Sequence, residues 1–203
     1  MEHITNHILL RGTLAELPEF SHENHGRRFY RFFLEIPRLS GAVDRLPVLA
    51  EQQVLETIDL SGGEMLTVEG QIRSHNIHID GRRHLLIFVF AGSVQAEDGE
   101  PINDCILDGP ICREPTYRRT PLGREICDVM LAVPRSFRRA DYLPCILWGR
   151  MAQEASHCHT RDRLRIYGRL QSRSYTKLTE NGPEERVAYE ISALSADIPS
   201  DLL

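Results

Sequence analysis

The 203-residue chain has one tryptophan, and no cysteine before residue 105. Its five cysteines, Cys105, Cys112, Cys127, Cys145 and Cys158, are scattered, odd in number and without a CxxC pair. That argues against a disulfide framework and makes a reducing cytoplasm the simplest setting. Cys112, Cys127 and Cys145 sit among strand-forming residues, where a free thiol behaves as a small hydrophobe. No apolar run is long enough for a membrane span. The N-terminus opens on acidic and polar residues, unlike a signal peptide.

Catalytic signatures are also missing. There is no Gly-rich phosphate loop, nucleophile elbow or HExxH element. The carboxylates form no pair whose roles the spacing reveals. His157-Cys158-His159 offers metal-ligating side chains, but structural zinc needs four and no fourth lies nearby in sequence. We therefore expect no enzyme, no cofactor and no metal.

The charge is modest and uneven. The net of −5 does not suggest a polyanion binder. Residues 1–104 carry 9 basic and 16 acidic residues, whereas residues 105–203 carry 15 and 13. The first half is thus strongly acidic and the second slightly basic, so the halves face partners differently.

What is present is a repeat. At a shift of 97, Leu10 falls on Leu107, Gly12 on Gly109 and Pro18 on Pro115. Gly26-Arg27 falls on Gly123-Arg124, Leu34 on Leu131, and Pro37-Arg38 on Pro134-Arg135. Asp44, Leu46 and Pro47 fall on Asp141, Leu143 and Pro144. Eleven of the forty positions from 8 to 47 are identical, against roughly two or three expected from average composition. Gly and Pro are prominent among them, the residues whose backbone geometry is hardest to replace.

Each half reads mostly as strands. The first gives His7–Leu14, His25–Pro37, Leu46–Ala50, Glu64–Arg73 and Gly81–Val94, with helical spacing over Glu51–Leu60. The second gives Cys105–Ile111, Gly123–Pro134, Tyr142–Trp148, Leu164–Tyr175 and Arg186–Leu194, with a short helix near Met151–His157. Asp80-Gly81 and Asn181-Gly182 are hairpin signals. Residues 96–103 (AEDGEPIN) read as a linker between units 1–95 and 104–203. Five strands with a short helix between the third and fourth suggest an all-β chain of two tandem OB-folds, five-stranded Greek-key barrels. Another small β-barrel is the alternative from pattern alone.

The second half carries a recognisable series: Leu131-Ala-Val-Pro-Arg135, Leu147-Trp-Gly-Arg-Met-Ala152 and Tyr167-Gly-Arg-Leu-Gln-Ser-Arg-Ser-Tyr175. In this order it resembles the DNA-binding domain of bacterial single-stranded DNA-binding proteins (the SSB family), over nearly all of residues 105–196. The resemblance implies that single strands cross the barrel and stack bases on Phe137, Tyr142, Trp148 and Tyr175. Sequence-tolerant binding needs such flat π surfaces, each worth roughly 1–3 kcal/mol. It also needs cations for phosphate, and Arg135, Arg138, Arg139, Arg150, Arg169, Arg173 and Lys177 are interleaved with the aromatics.

The first half departs from this pattern. Ser40, Arg45 and Glu51 stand where the second half has Phe137, Tyr142 and Trp148, and about Ile77 stands for Tyr175. The first fold is expected to be mainly architectural, or to bind DNA weakly through Arg27, Arg28, Arg31, Arg73, Arg82 and Arg83. Phe29 to Phe33 are candidates for a partner or subunit contact.

The resemblance implies non-catalytic, sequence-independent binding of single-stranded DNA in replication, recombination or repair, with replication and repair proteins as further partners. It also implies a homodimer giving four OB-folds. Family members usually end in a long tail whose acidic tip recruits enzymes. Here Asp197-Ile-Pro-Ser-Asp-Leu-Leu203 reads as an ordinary acidic terminus. The alternatives are a primosome-like or mobile-element OB protein acting mainly through protein contacts, and an RNA-binding OB protein.

Overall fold

The computed structural model describes residues 4–79, 81–179 and 182–199. Asp80 and Asn181 of the two expected hairpin signals, and the terminal residues 200–203, lie outside these. The first repeat contains β1 (Asn6–Leu14), β2 (Glu19–Asn24), β3 (Arg27–Pro37), β4 (Val43–Glu51), α1 (Gln52–Leu55), β5 (Met65–Ile79) and β6 (Arg82–Ala96). The second contains β7 (Ile102–Pro110), β8 (Thr116–Arg119), β9 (Glu125–Arg135), a 3-10 turn at Ser136–Arg138, β10 (Arg139–Trp148), α2 (Gly149–Ala155), β11 (Arg163–Thr179) and β12 (Gly182–Asp197).

Alternation of apolar and polar residues dictates the strands. Along β1, Ile8, Leu10 and Leu14 are buried while the residues between them are half-exposed. The same period buries Phe32, Leu34 and Ile36 on β3, and Val129, Leu131 and Val133 on β9. Two expectations change. The helix expected over Glu51–Leu60 is one turn, Gln52–Leu55, with no side-chain cap at its N-terminus and no fully buried residue to hold a longer one. The strands β2 and β8 were not legible, since all their residues are exposed and no alternation marks them.

Each repeat closes a five-stranded barrel. In the first, β1 pairs with β3 and β5, β3 with β4, β5 with β6, and β4 runs parallel to β6. In the second, β7 pairs with β11, β11 with β12, β9 with β10, and β10 runs parallel to β12. A bridge from Ile111 to Leu131 closes it. This is the OB-fold order, with α1 and α2 between the third and fourth barrel strands. Gly70 and Gly168 sit at matching bulges, where a Cβ would strike the carbonyl oxygen of Phe90 in one barrel and of Ser192 in the other. Only glycine permits that approach.

The barrels share one sheet through antiparallel pairing of β1 with β7. Ile8 pairs with Cys105, its own counterpart at the shift of 97, and the register runs symmetrically to either side. The repeat is therefore related to itself by an approximate two-fold axis through that pair. Side chains obey it too. The Asn6 amide exchanges two hydrogen bonds with the backbone of Ile72 (2.7 and 2.9 Å), and Asn103 does the same with Leu170 (2.7 and 3.0 Å).

Candidate nucleic-acid interface

The outer faces of β9, β10, β11 and β12 form one surface. On β10, Leu143, Cys145 and Leu147 point into the core, so Tyr142, Pro144, Ile146 and Trp148 point outward. Tyr142 and Tyr175 remain about 40% exposed (42% and 39%). Trp148 is half-buried and its indole N–H donates to Ser192 Oγ at 3.1 Å, which fixes the ring. Tyr175 pairs across strands with Arg186, and the Arg173 guanidinium lies 5.7 Å from its ring centroid. Phe137 stands apart on the 3-10 turn, 94% exposed, with φ 61° and ψ 36°. A bulky residue in the left-handed region is strained. A phenylalanine held there in solvent gains nothing from the fold itself.

The basic residues divide by what holds them. Arg138 and Arg139 are exposed, and Lys177, the only lysine of the chain, is half-exposed beside Tyr175. Arg173 contacts Glu190 at 3.4 Å, and Arg150, on the first turn of α2, contacts Glu154 at 2.7 Å. Arg169 is half-buried beside Ser192, and its Nε has no hydrogen-bond partner among the described residues. Arg135 is turned inward, with Nη1 3.4 Å from Asp141 Oδ1.

Asp141 belongs to a latch that the sequence marked only as an identity. Its buried carboxylate accepts from the Ser74 amide N–H at 2.7 Å and from Arg73 Nη1 at 3.1 Å, both in the other repeat. Asp44, its counterpart, accepts from the Ser172 N–H at 2.7 Å and from Arg38 Nε at 2.7 Å. The Asp44 carboxylate and its hydrogen bonds raise the Arg38 pKa. Arg38 also donates to the Ser172 carbonyl at 2.7 Å. The Tyr142 N–H donates to Ser74 Oγ, and the Arg45 N–H to Ser172 Oγ (2.7 and 3.3 Å). Each hairpin thus sits against the other repeat's third barrel strand. Tyr142 is seated by the first repeat, so the interface is composite.

The result is a groove of about 1450 Å³ with walls from both repeats. The first repeat contributes Arg31, Arg73 and Arg83, and the second Arg135, Arg139, Lys177 and Arg186. No carboxylate is among the described residues that line it. Of the seven, Arg31, Arg73, Arg135 and Arg186 pair with Glu19, Asp141 and Glu184, so the positive field of the wall comes mainly from Arg83, Arg139 and Lys177.

His157-Cys158-His159 turns inward only at Cys158, which is buried, while His159 contacts Glu114 at 3.2 Å. Among the described residues no group of His, Cys, Asp and Glu is placed to hold a metal ion. None of the described helices is long and apolar enough to cross a membrane.

Comparison with known proteins places this arrangement. The single-strand binding protein family matches residues 102–198. Single-stranded DNA-binding protein B of Bacillus subtilis is 35% identical over 102 residues, 47% of this chain and 85% of that protein. Single-stranded DNA-binding protein 1 of Staphylococcus aureus is 35% identical over 36% of this chain, which spans 48% of its length. The single-stranded DNA-binding protein of Thermus aquaticus aligns over 77% of this chain and 66% of its own length at 28% identity. Its wild-type crystal structure superposes with a TM-score of 0.78 at 24% identity, covering 96% of this chain and 93% of that one. A deletion variant of it gives 0.75 at 25% identity, covering 96% and 94%. The double-barrel fold, the aromatic face of the second repeat and the extent of the B. subtilis match agree: this chain belongs to the single-strand binding protein family.

Proposed function

We propose that this protein binds single-stranded DNA without sequence preference, stacking bases on Tyr142, Trp148, Tyr175 and Phe137 and holding phosphates with the cations around them. The observation that carries this reading is the outer face of the second barrel, where Tyr142, Trp148 and Tyr175 lie outward among arginines, and where Tyr175, Arg139 and Lys177 open onto the groove shared with the first repeat. Bases have π faces whatever their identity, so stacking is sequence-tolerant. Phosphates are met by Arg138, Arg139, Arg150, Arg169, Arg173 and Lys177, while Arg135 serves mainly the latch. The chemistry is binding, with no bond made or broken, in the service of replication, recombination or repair in the cytoplasm. The binding unit comprises residues 1–95 and 104–203 with 96–103 as their connection. Two chains assemble as a homodimer of four barrels, a state that sedimentation equilibrium reads directly.

Trp148 reports on the site. Titration with oligo-dT should quench its fluorescence strongly, oligo-rU less, and duplex DNA hardly at all. Quenching by none of the three would overturn the proposal. Lys177 gives a second readout: oligo-dT should protect it from acetylation, as measured by mass spectrometry.

A further inference from the structure

The outer face of the second barrel holds a carboxylate where a polyanion is expected to pass. Ile191 on β12 and its partner Leu170 on β11 point into the core. Period two therefore places Ser192, Glu190, Ala188 and Arg186 on the outer side of β12. Trp148 is tied to Ser192, and Tyr175 stands opposite Arg186. These two anchors lie roughly 20 Å apart along the strand, with Glu190 between them. A DNA strand that stacks on both rings crosses Glu190. The fold does not ask for this charge. Leu49 pairs with Phe90 on β6 as its counterpart Ile146 pairs with Ser192 on β12. Phe88 therefore occupies in the first barrel the place of Glu190 in the second. A position that accepts phenylalanine in one barrel is not acidic in the other for the sake of barrel closure.

Glu190 faces Arg173. The arginine Nε lies 3.4 Å from each carboxylate oxygen, and Nη2 lies 3.5 Å from one of them. Charge-assisted bonds of good geometry run about 2.7–2.9 Å, so this pair is loose. The Glu190 side chain is 18% exposed and that of Arg173 57%. The cation is thus the partner free to move, and the carboxylate stays. Two other arginines are committed elsewhere. The Arg118 pKa is raised by its hydrogen bond to Asp128, at 2.6 Å, and also by the charge of Glu190. Arg38 is raised first by Asp44 in the latch and also by Glu190. Arg173 is the one of the three that has no aspartate of its own among the described ion pairs. It also lies beside the Tyr175 ring, where a phosphate next to a stacked base would meet it.

We propose that Glu190 is an internal competitor for phosphate: it holds Arg173 in the free protein, and the DNA strand binds by exchanging the Arg173–Glu190 pair for an Arg173–phosphate pair. This rests on the function proposed above. The competition makes the second barrel's grip weaker than its aromatics and arginines alone would give. It also eases release, because Glu190 retakes Arg173 as the phosphate leaves. A carboxylate that merely oriented Arg173 for DNA would act with the opposite sign, since its removal would weaken binding.

The test titrates the full chain with oligo-dT over a series of salt concentrations, read by Trp148 quenching. Glu190→Gln keeps the shape of the side chain and removes its charge. It should tighten binding roughly two- to fivefold, the worth of one exposed ion pair. It should also steepen the slope of log K against log salt by about 0.7, one further phosphate neutralised. Dissociation, followed by stopped-flow chase with excess oligo-dT, should slow by a similar factor. Glu190→Asp keeps the charge and should gain neither. Weaker binding by Glu190→Gln would show that the carboxylate orients Arg173 for DNA, and would overturn the proposal. Unchanged affinity and slope would overturn it too, by placing the strand's path away from Glu190. The absence of any quenching of the unaltered protein by oligo-dT is a separate result, which would sink the function proposed above and this competitor with it.

Discussion

Phe137 is the residue at which fold and function pull apart most clearly. Its left-handed backbone is a cost, and its ring is almost wholly in water. Phe137→Gly should leave the melting temperature unchanged or raise it, because glycine adopts that conformation without strain. The same substitution should weaken oligo-dT binding by about 1–3 kcal/mol, the worth of one stacked base. A fall in melting temperature without a fall in affinity would show that the ring packs in the fold.

The cysteines make the opposite case, residues with a fold role and no chemistry. Burial pushes the Cys105 thiol up to about 12 and holds Cys127 and Cys158 at about 11. Burial raises Cys145 well above the ordinary thiol value too. Protonated thiols are poor nucleophiles. A thiol reagent at neutral pH should therefore modify only the half-buried Cys112, and the other four after unfolding, as a colorimetric thiol count reads. The folded pKa values lie above the unfolded 9.0. The stability held by the neutral thiols is therefore full below pH 9 and is lost as pH rises from there toward 11 and 12. Denaturation midpoints should fall across that window.

At the scale of elements, the latch decides how the two barrels are held. Asp141 and Asp44 are buried, and each binds an arginine and a hairpin amide. Removing one partner of a buried ion pair costs about 3–5 kcal/mol, since it strands the other charge. Asp141→Ala and Asp44→Ala should each destabilise the chain by that order in urea unfolding. Asp141→Ala should also weaken DNA binding, because it frees the Ser74 hairpin that seats Tyr142. A change below about 1 kcal/mol would mean that solvent already shares these carboxylates.

Much of this scale was legible in the sequence. Period-two burial gave the ten barrel strands, and the repeat gave Gly12, Gly109, Asp44 and Asp141 as shared positions. The edge strands β2 and β8 were not, because fully exposed residues leave no pattern. Nor was the role of the shared aspartates, which depends on a partner some 67 residues away in one case and 128 in the other. Phe29 to Phe33 looked alike in sequence, but Phe29 and Phe32 are buried, and Phe29 is covered by the His22 ring stacked 4.9 Å away.

Over the whole molecule, the local field of the groove outweighs the net charge. A chain at −5 should repel a polyanion at long range, yet long-range repulsion is screened beyond about 8–10 Å at ordinary salt. What remains is the contact field, and the groove wall is cationic. Its members should differ in effect. Arg73 and Arg135 already neutralise Asp141, so they add little to phosphate binding. Arg139 is exposed, and Lys177 faces the same groove. On a single strand each phosphate neutralised adds about −0.7 to the slope of log K against log salt. Arg139→Ala/Lys177→Ala should therefore flatten that slope by about 1.4, with the fold intact by circular dichroism. Arg135→Ala should leave the slope within a few tenths while lowering the unfolding midpoint. Equal flattening by both variants would mean that Arg135 leaves Asp141 for phosphate when DNA binds, and that the latch opens in the complex. A slope near zero for the unaltered protein would mean that its DNA binding does not run through phosphate neutralisation at all.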